Sequence, residues 1–389
     1  MQRPALRLST TEMLDRLVAF DTTSRNSNLA LIDFVADYLA GHGIDSRRTF
    51  NPAGDKANLY ATIGPADRGG VILSGHVDTV PVDGQAWTRN PFQLTRENGK
   101  LYGRGTTDMK GFVATFLAMA PEFKAAALAK PIHFCVSFDE EVGCTGAPVM
   151  IDDIVARGPL PEACIVGEPS SMKPVVAHKG KLALIGTVTG VSGHSSDPPK
   201  GANALEAAAE CVAHLKREAR CFRDHGPYDD RFDPAYTTVH TGTFKSGVVL
   251  NVIPELAEFV MEWRYLPGTD IEAEFARLRE FCARELEPEL KAVDPACGFT
   301  WREYSHIPGM GLPPEHALAT LVKSLAGSNS AGCVSYGTEG GLFERAGIPT
   351  LVCGPGHISQ AHRPDEFVAE SELLACERFL RALKERLSA

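Results

Sequence analysis

The chain has no Cys-x-x-Cys pair among its ten cysteines, no run of eighteen apolar residues, no internal repeat, no low-complexity tract and no excess of basic residues. Without paired cysteines, neither a zinc finger nor a thioredoxin-like redox motif is indicated. Scattered thiols read as small buried apolar residues in a reducing compartment. Without a long apolar run no membrane span is expected, and Met1–Thr10 lacks the continuous apolar stretch of a secretion signal. A formal net charge of −10 argues against a nucleic-acid partner, which would need a basic patch. What is left is a soluble, cytoplasmic protein. At 389 residues, 44% hydrophobic and 23% charged, the chain is too long for one ordinary core and suits two domains.

The apolar patterning is of two kinds. Residues 28–39 place Leu29, Ile32, Val35, Ala36 and Leu39 on one helical face. Apolar runs at 58–63, 70–74, 132–138 and 163–166 read as buried strands, with helical patterns at 111–119 and 145–156 between them. Strands alternating with helices predict an α/β layer with a mixed, largely buried sheet and flanking helices. After His178 the order changes to strand 181–189, helix 202–219, strands 236–244 and 255–263, helix 271–286 and strand 298–304. That βαββαβ order predicts an inserted ferredoxin-like domain. The expected organisation is a first domain over 1–178, an insertion over 179–308, and a return to the first domain over 309–389.

Carboxylates and imidazoles gather at the predicted strand ends, where α/β sheets place their sites. His76 and Asp78 close the strand 70–74, two residues apart and so on one face. Here one would bind a metal while the other fixes its tautomer. Asp108 lies between the turn Gly103-Arg104-Gly105 and a helix; taken alone it reads as an N-cap. Asp139-Glu140-Glu141 ends the strand 132–138, so one carboxylate could bind metal while its free neighbour acts as a general base. Glu168 follows the strand 163–166. His362 and His357 compete as the last ligand, and the residues alone leave that choice open. The set is free of cysteine and suits zinc-type hydrolysis. A dinucleotide or phosphate loop fails, because Gly-x-Gly-x-x-Gly is not completed: position 108 is Asp.

Gly75-His76-Val77-Asp78-Thr79-Val80-Pro81, Tyr102 to Gly111, Asp139 to Gly143, Gly167-Glu168-Pro169-Ser170 and Ala361-His362 occur in one order along the chain. On these motifs the sequence resembles the di-zinc aminoacylase/carboxypeptidase family of metallopeptidases over nearly its whole length. The resemblance implies two divalent metal ions, zinc or cobalt. His76, Asp108 and Glu168 would hold one, and Asp108, Glu141 and His362 the other. It implies Asp78 as the residue orienting His76 and Glu140 as the general base. It further implies a small acylated amino acid as substrate and a homodimer made through the inserted lid domain, with His194 reaching the partner's site to stabilise an oxyanion. Arg264 and Asn251 are the candidates for a substrate α-carboxylate. Glu339, between Thr338 and Gly340-Gly341, is the candidate for a substrate ammonium. A catalytically silent metal-binding dimer would retain the ligands but have no need of Glu140.

Overall fold

The computed structural model describes residues 6–388, so the first five residues of the Met1–Thr10 segment lie outside it. The chain divides into two compact units, one comprising residues up to 177 with 310–333 and 338 onward, the other 178–309 with 334–337.

The larger unit is built on a mixed sheet. Its strands run in the order Ser46–Phe50, Ala57–Ile63, Ile132–Ser137, Val71–His76, Ala163–Pro169, Thr350–Gly354, Val175–His178, Met310–Gly311, with Gly332–Val334 beside Val175–His178. The four strands Ile132–Ser137, Val71–His76, Ala163–Pro169 and Thr350–Gly354 are mutually parallel. They are buried at every position, as strands covered on both faces must be. Helix Lys110–Ala125 covers one face and buries twelve of its residues, among them Phe112, Phe116 and Phe123. It lies so close that a Cβ on Gly167 would sit 2.0 Å from the Phe112 ring, and one on Gly75 would sit 2.8 Å from Val113. Glycine at these two positions is what lets the helix reach the strands that carry the site.

A small three-stranded sheet, Thr95–Glu97, Lys100–Tyr102 and Phe367–Ala369, matters more than its size suggests. Its antiparallel register, Phe367 opposite Tyr102, lays the residues before Phe367 alongside those after Tyr102. The sequence reading did not anticipate this sheet, nor the closing helix Glu370–Leu387.

The inserted unit has the ferredoxin-like arrangement: an antiparallel sheet ordered Thr238–Ser246, Leu256–Tyr265, Gly180–Thr189, Gly298–Ile307, with helices Ala204–His225 and Ile271–Phe281. The expected helix over 271–286 is broken. After Phe281 the chain takes a π-turn, Cys282–Leu286, then resumes as Glu287–Val293. Pro288 has no N–H to give to the carbonyl one turn earlier, and the π-turn absorbs the mismatch. Among the described residues no helix is long and apolar enough to cross a membrane.

Candidate metal centre

Parallel pairing brings the carboxyl ends of four strands to one edge. His76 ends the central strand, opposite Ser137. Asp139-Glu140-Glu141 follows that neighbour directly, Glu168 lies in the strand on the other side, and the loop after Gly354 carries His357 and His362.

Two groups of three ligand atoms result, His76–Asp108–Glu168 and Asp108–Glu141–His362, the atoms of each lying within 4.8 Å of one another. Asp108 belongs to both. Its Oδ1 is 3.1 Å from His76 Nε2 and its Oδ2 is 3.2 Å from His362 Nε2. Glu168 Oε1 is 3.6 Å from His76 Nε2, and Glu141 Oε2 is 3.0 Å from His362 Nε2. The helix after Asp108 has Met109 as its N-cap with no side-chain cap bond, so the Asp108 carboxylate is not used in the ordinary way. His357 instead takes a Ser359 N–H at its Nδ1, 3.1 Å away, and is not in the cluster.

Asp78 joins the two halves of this arrangement. Its carboxylate lies 3.4 Å from His76 Nδ1. It also accepts the backbone N–H of Glu140 at 3.1 Å and of Glu141 at 3.2 Å, and the hydroxyl of Ser24 at 2.8 Å. The three consecutive acids then diverge. Asp139, with a left-handed φ of 55°, pairs with Lys56 at 2.5 Å. Glu141 faces His362. Glu140 lies 4.0 Å from His76 Nε2 and belongs to neither ligand group. Ser24 and Lys56 were not singled out from the sequence; each acts across some thirty or more residues and carries no local signal.

The electrostatics are those of a site short of positive charge. Burial opposes protonation of His76, yet the carboxylates of Asp108, Asp78 and Glu140 outweigh it and hold its pKa well above normal. Burial also acts against an ionised Asp108, but hydrogen bonds from His362 and His76 win and keep it ionised. Glu140 and Glu168 are pushed well up, chiefly by burial and then by neighbouring carboxylates, against the pull of His76. Burial and the Asp108 charge bring Glu141 to about 7. Hydrogen bonds to Asp108 and Glu141 raise His362 to about 10. Five acids, Asp78, Asp108, Glu140, Glu141 and Glu168, share two imidazoles, a crowding that bound cations relieve. An oxygen and nitrogen ligand set with a carboxylate facing both ways fits a pair of divalent ions.

The remaining candidates are placed elsewhere. His194 is exposed in a loop of the inserted unit, its Nδ1 2.7 Å from Ser196 Oγ. Asn251 is exposed in the same unit, and Arg264 donates from Nε to Glu262 at 3.0 Å. Glu339, in the larger unit, is 1% exposed. Its Oε2 is 3.4 Å from Ser74 Oγ and its Oε1 has no hydrogen-bond partner.

Fold and site together define an α/β protein with two adjacent metal-ligand groups, and comparison with known proteins gives the family. The model of peptidase family M20/M25/M40 matches residues 72–386, and the chain belongs to that family. It is a metal-dependent hydrolase. The acetylornithine deacetylase of Proteus mirabilis (strain HI4320) is 38% identical over 354 residues, covering 90% of this chain and 88% of that protein. That of Yersinia pseudotuberculosis serotype O:1b (strain IP 31758) is 37% identical over 359 residues with the same coverage. Among solved structures, a tripeptidase from Staphylococcus aureus superposes with a TM-score of 0.74 at 17% identity, covering 98% of this chain and 99% of that one. A dinuclear metal-binding peptidase of the M20 family from Bacillus subtilis gives 0.66 at 15% identity, covering 97% and 98%.

Proposed function

We propose that this protein hydrolyses N2-acetyl-L-ornithine to L-ornithine and acetate, as a step of arginine biosynthesis in the cytoplasm. The observation that carries the chemistry is the Asp108 carboxylate shared between two imidazoles, with a half-buried acid, Glu140, 4.0 Å from His76 and outside both ligand groups. The substrate rests on the likeness to the two deacetylases. The ten cysteines all stand as free thiols, which suits a reducing compartment.

His76, Asp108 and Glu168 would hold one divalent ion and Asp108, Glu141 and His362 the other, zinc first and cobalt as a substitute. Such a pair, when bound, polarises the scissile carbonyl and lowers the pKa of water to about 7. Glu140 takes the proton of the attacking water and returns it to the departing amine nitrogen. Asp78 keeps the His76 Nδ1 proton in place, leaving Nε2 as the ligand atom, and holds Glu140 and Glu141 by their backbone. His194 donates to the developing oxyanion at the partner's site in a homodimer formed through the inserted domain. What supports the contact between copies is the edge strand Thr238–Ser246 with Val248 and Leu250, which are 100% and 97% exposed. Arg264 and Asn251 receive the substrate α-carboxylate, and Glu339 the side-chain ammonium.

The test is amine release from N2-acetyl-L-ornithine beside N-succinyl-L,L-diaminopimelate, acetylmethionine and a dipeptide, using zinc- or cobalt-loaded protein. Preference for acetylornithine is expected; preference for another member of the panel overturns the substrate. Glu339→Gln is expected to lose more on acetylornithine than on an uncharged acetylated analogue, and equal losses remove Glu339 from ammonium recognition.

A further inference from the structure

The cluster is braced by a set of side chains outside it that carry no ligand atom. Glu366 immediately precedes the strand Phe367–Ala369, whose pairing with Lys100–Tyr102 lays it against the turn leading to Asp108. Its side chain is 1% exposed, and both oxygens are fully used. One accepts the backbone N–H groups of Thr107 at 2.9 Å and Asp108 at 3.1 Å. The other accepts Gly105 N–H at 3.0 Å and Arg104 Nη1 at 2.8 Å. Three backbone amides converging on one carboxylate make an anion nest filled by the protein's own side chain. The same guanidinium extends the chain of bonds. Arg104 Nη2 donates to Gln85 Oε1, which also accepts Trp87 Nε1–H at 2.9 Å. Gln85 Nε2 in turn donates to the His362 carbonyl at 3.0 Å. That residue has a φ of 64°, a left-handed conformation that a non-glycine residue keeps only when its surroundings hold it there.

A continuous path therefore runs from the Asp108 amide through Glu366, Arg104 and Gln85 to the His362 carbonyl. Those two ends are ligand residues of the same group, Asp108–Glu141–His362. His76 and Glu168 are held by the parallel strands, and His76 meets the path at its Asp108 end, its Nε2 3.1 Å from Asp108 Oδ1. We propose that Glu366, Arg104 and Gln85 are positioning residues that set the spacing of Asp108 and His362, with Gln85 acting selectively on the metal site that His362 completes. This rests on the two-metal reading above.

The experiment is calorimetric titration of metal-free protein with cadmium, with the visible spectrum of the cobalt-loaded form as a second readout. Unmodified protein should bind two ions. Gln85→Ala and Gln85→Glu alter a partly exposed side chain, and the second keeps the acceptor for Arg104 while removing the donor to His362. Both Gln85 variants should weaken one ion about 10- to 100-fold, the usual cost of losing an outer partner of a metal ligand, and leave the other unchanged; Glu366→Gln should weaken both, because it loosens Asp108, which belongs to both ligand groups. They should also alter the cobalt spectrum. Two ions with unchanged affinities in folded Gln85 variants would overturn the proposal, as would an equal weakening of both ions in those variants. Fewer than two ions in the unmodified protein would bring down the two-metal reading and this inference with it.

Discussion

The larger unit keeps Arg104, Asp108, Lys110, Glu168, Glu339 and Glu366 buried around its sheet edge, whereas the inserted unit packs Leu182, Leu184, Phe259, Met261 and Trp263 into an apolar core. The inserted unit instead exposes hydrocarbon, at Val248 and Leu250. Burying charge costs several kcal/mol per ion unless partners repay it. A unit bears that cost where a bound cation or a converging set of donors can offset it, and the larger unit has two candidate metal-ligand groups and the donors that converge on Glu366. The inserted unit has no comparable cluster among its described residues, and its stability rests on burial of apolar surface.

The widest gap between the units is in chemistry. Glu140→Gln should lower kcat by about 10²- to 10⁴-fold, the usual worth of a general base, with metal content unchanged; steady-state rates beside metal analysis check it. In packing, Phe112→Ala and Trp263→Ala each remove a fully buried aromatic and should each cost about 3–5 kcal/mol in denaturant unfolding. Only Phe112→Ala should also reduce metal binding, because Phe112 packs on Gly167, next to Glu168. Equal loss of metal in Trp263→Ala would erase the distinction between the units. Chelation should withdraw about 2.7 kcal/mol of stability for an ion held at one hundred times its Kd. Hydrogen exchange should show the loss at 71–76 and not at 182–188.

The smallest expected effect is a gain. Glu218 of the inserted unit has its pKa raised to about 7 by burial and then by Glu274, against the opposing charge of Arg277, and its Oε2 is buried without a partner. His214 faces its other oxygen at 3.3 Å. A folded pKa above the ordinary 4.5 means that folding favours the protonated acid. The contribution is full below pH 4.5 and is lost as pH rises through about 7. Glu218→Gln should therefore be more stable than the parent at pH 8, by on the order of 1–2 kcal/mol, with the difference vanishing at pH 4. Melting curves at the two pH values check it.

Much of this was legible in the sequence because it is local. The buried strands announce themselves as apolar runs, and acids placed just after such runs must meet at one edge once the strands are parallel. His76, the triplet at Asp139 and Glu168 were visible for that reason. The choice of His362 over His357 was not, since both follow the same strand and only the backbone turn at residue 362 aims one ring at Asp108. Glu366 was invisible as well: its partners at 104–108 lie some 260 residues earlier, and an acid after a proline looks like any solvated loop. The π-turn at Cys282 was foreshadowed by Pro288, which the apolar periodicity of the helix concealed.

The order in which the shared carboxylate meets its partners follows from the path of the chain. His76, Asp108 and Glu168 all precede the inserted unit, while His362 and Glu366 come after it. During synthesis a ribosome delivers one ligand group early and withholds the other until the insertion is already made. A nascent or prematurely ended chain that stops short of residue 362 has at most one complete group and no brace for Asp108. The pair of ligand groups is thus complete only once the chain has passed residue 362.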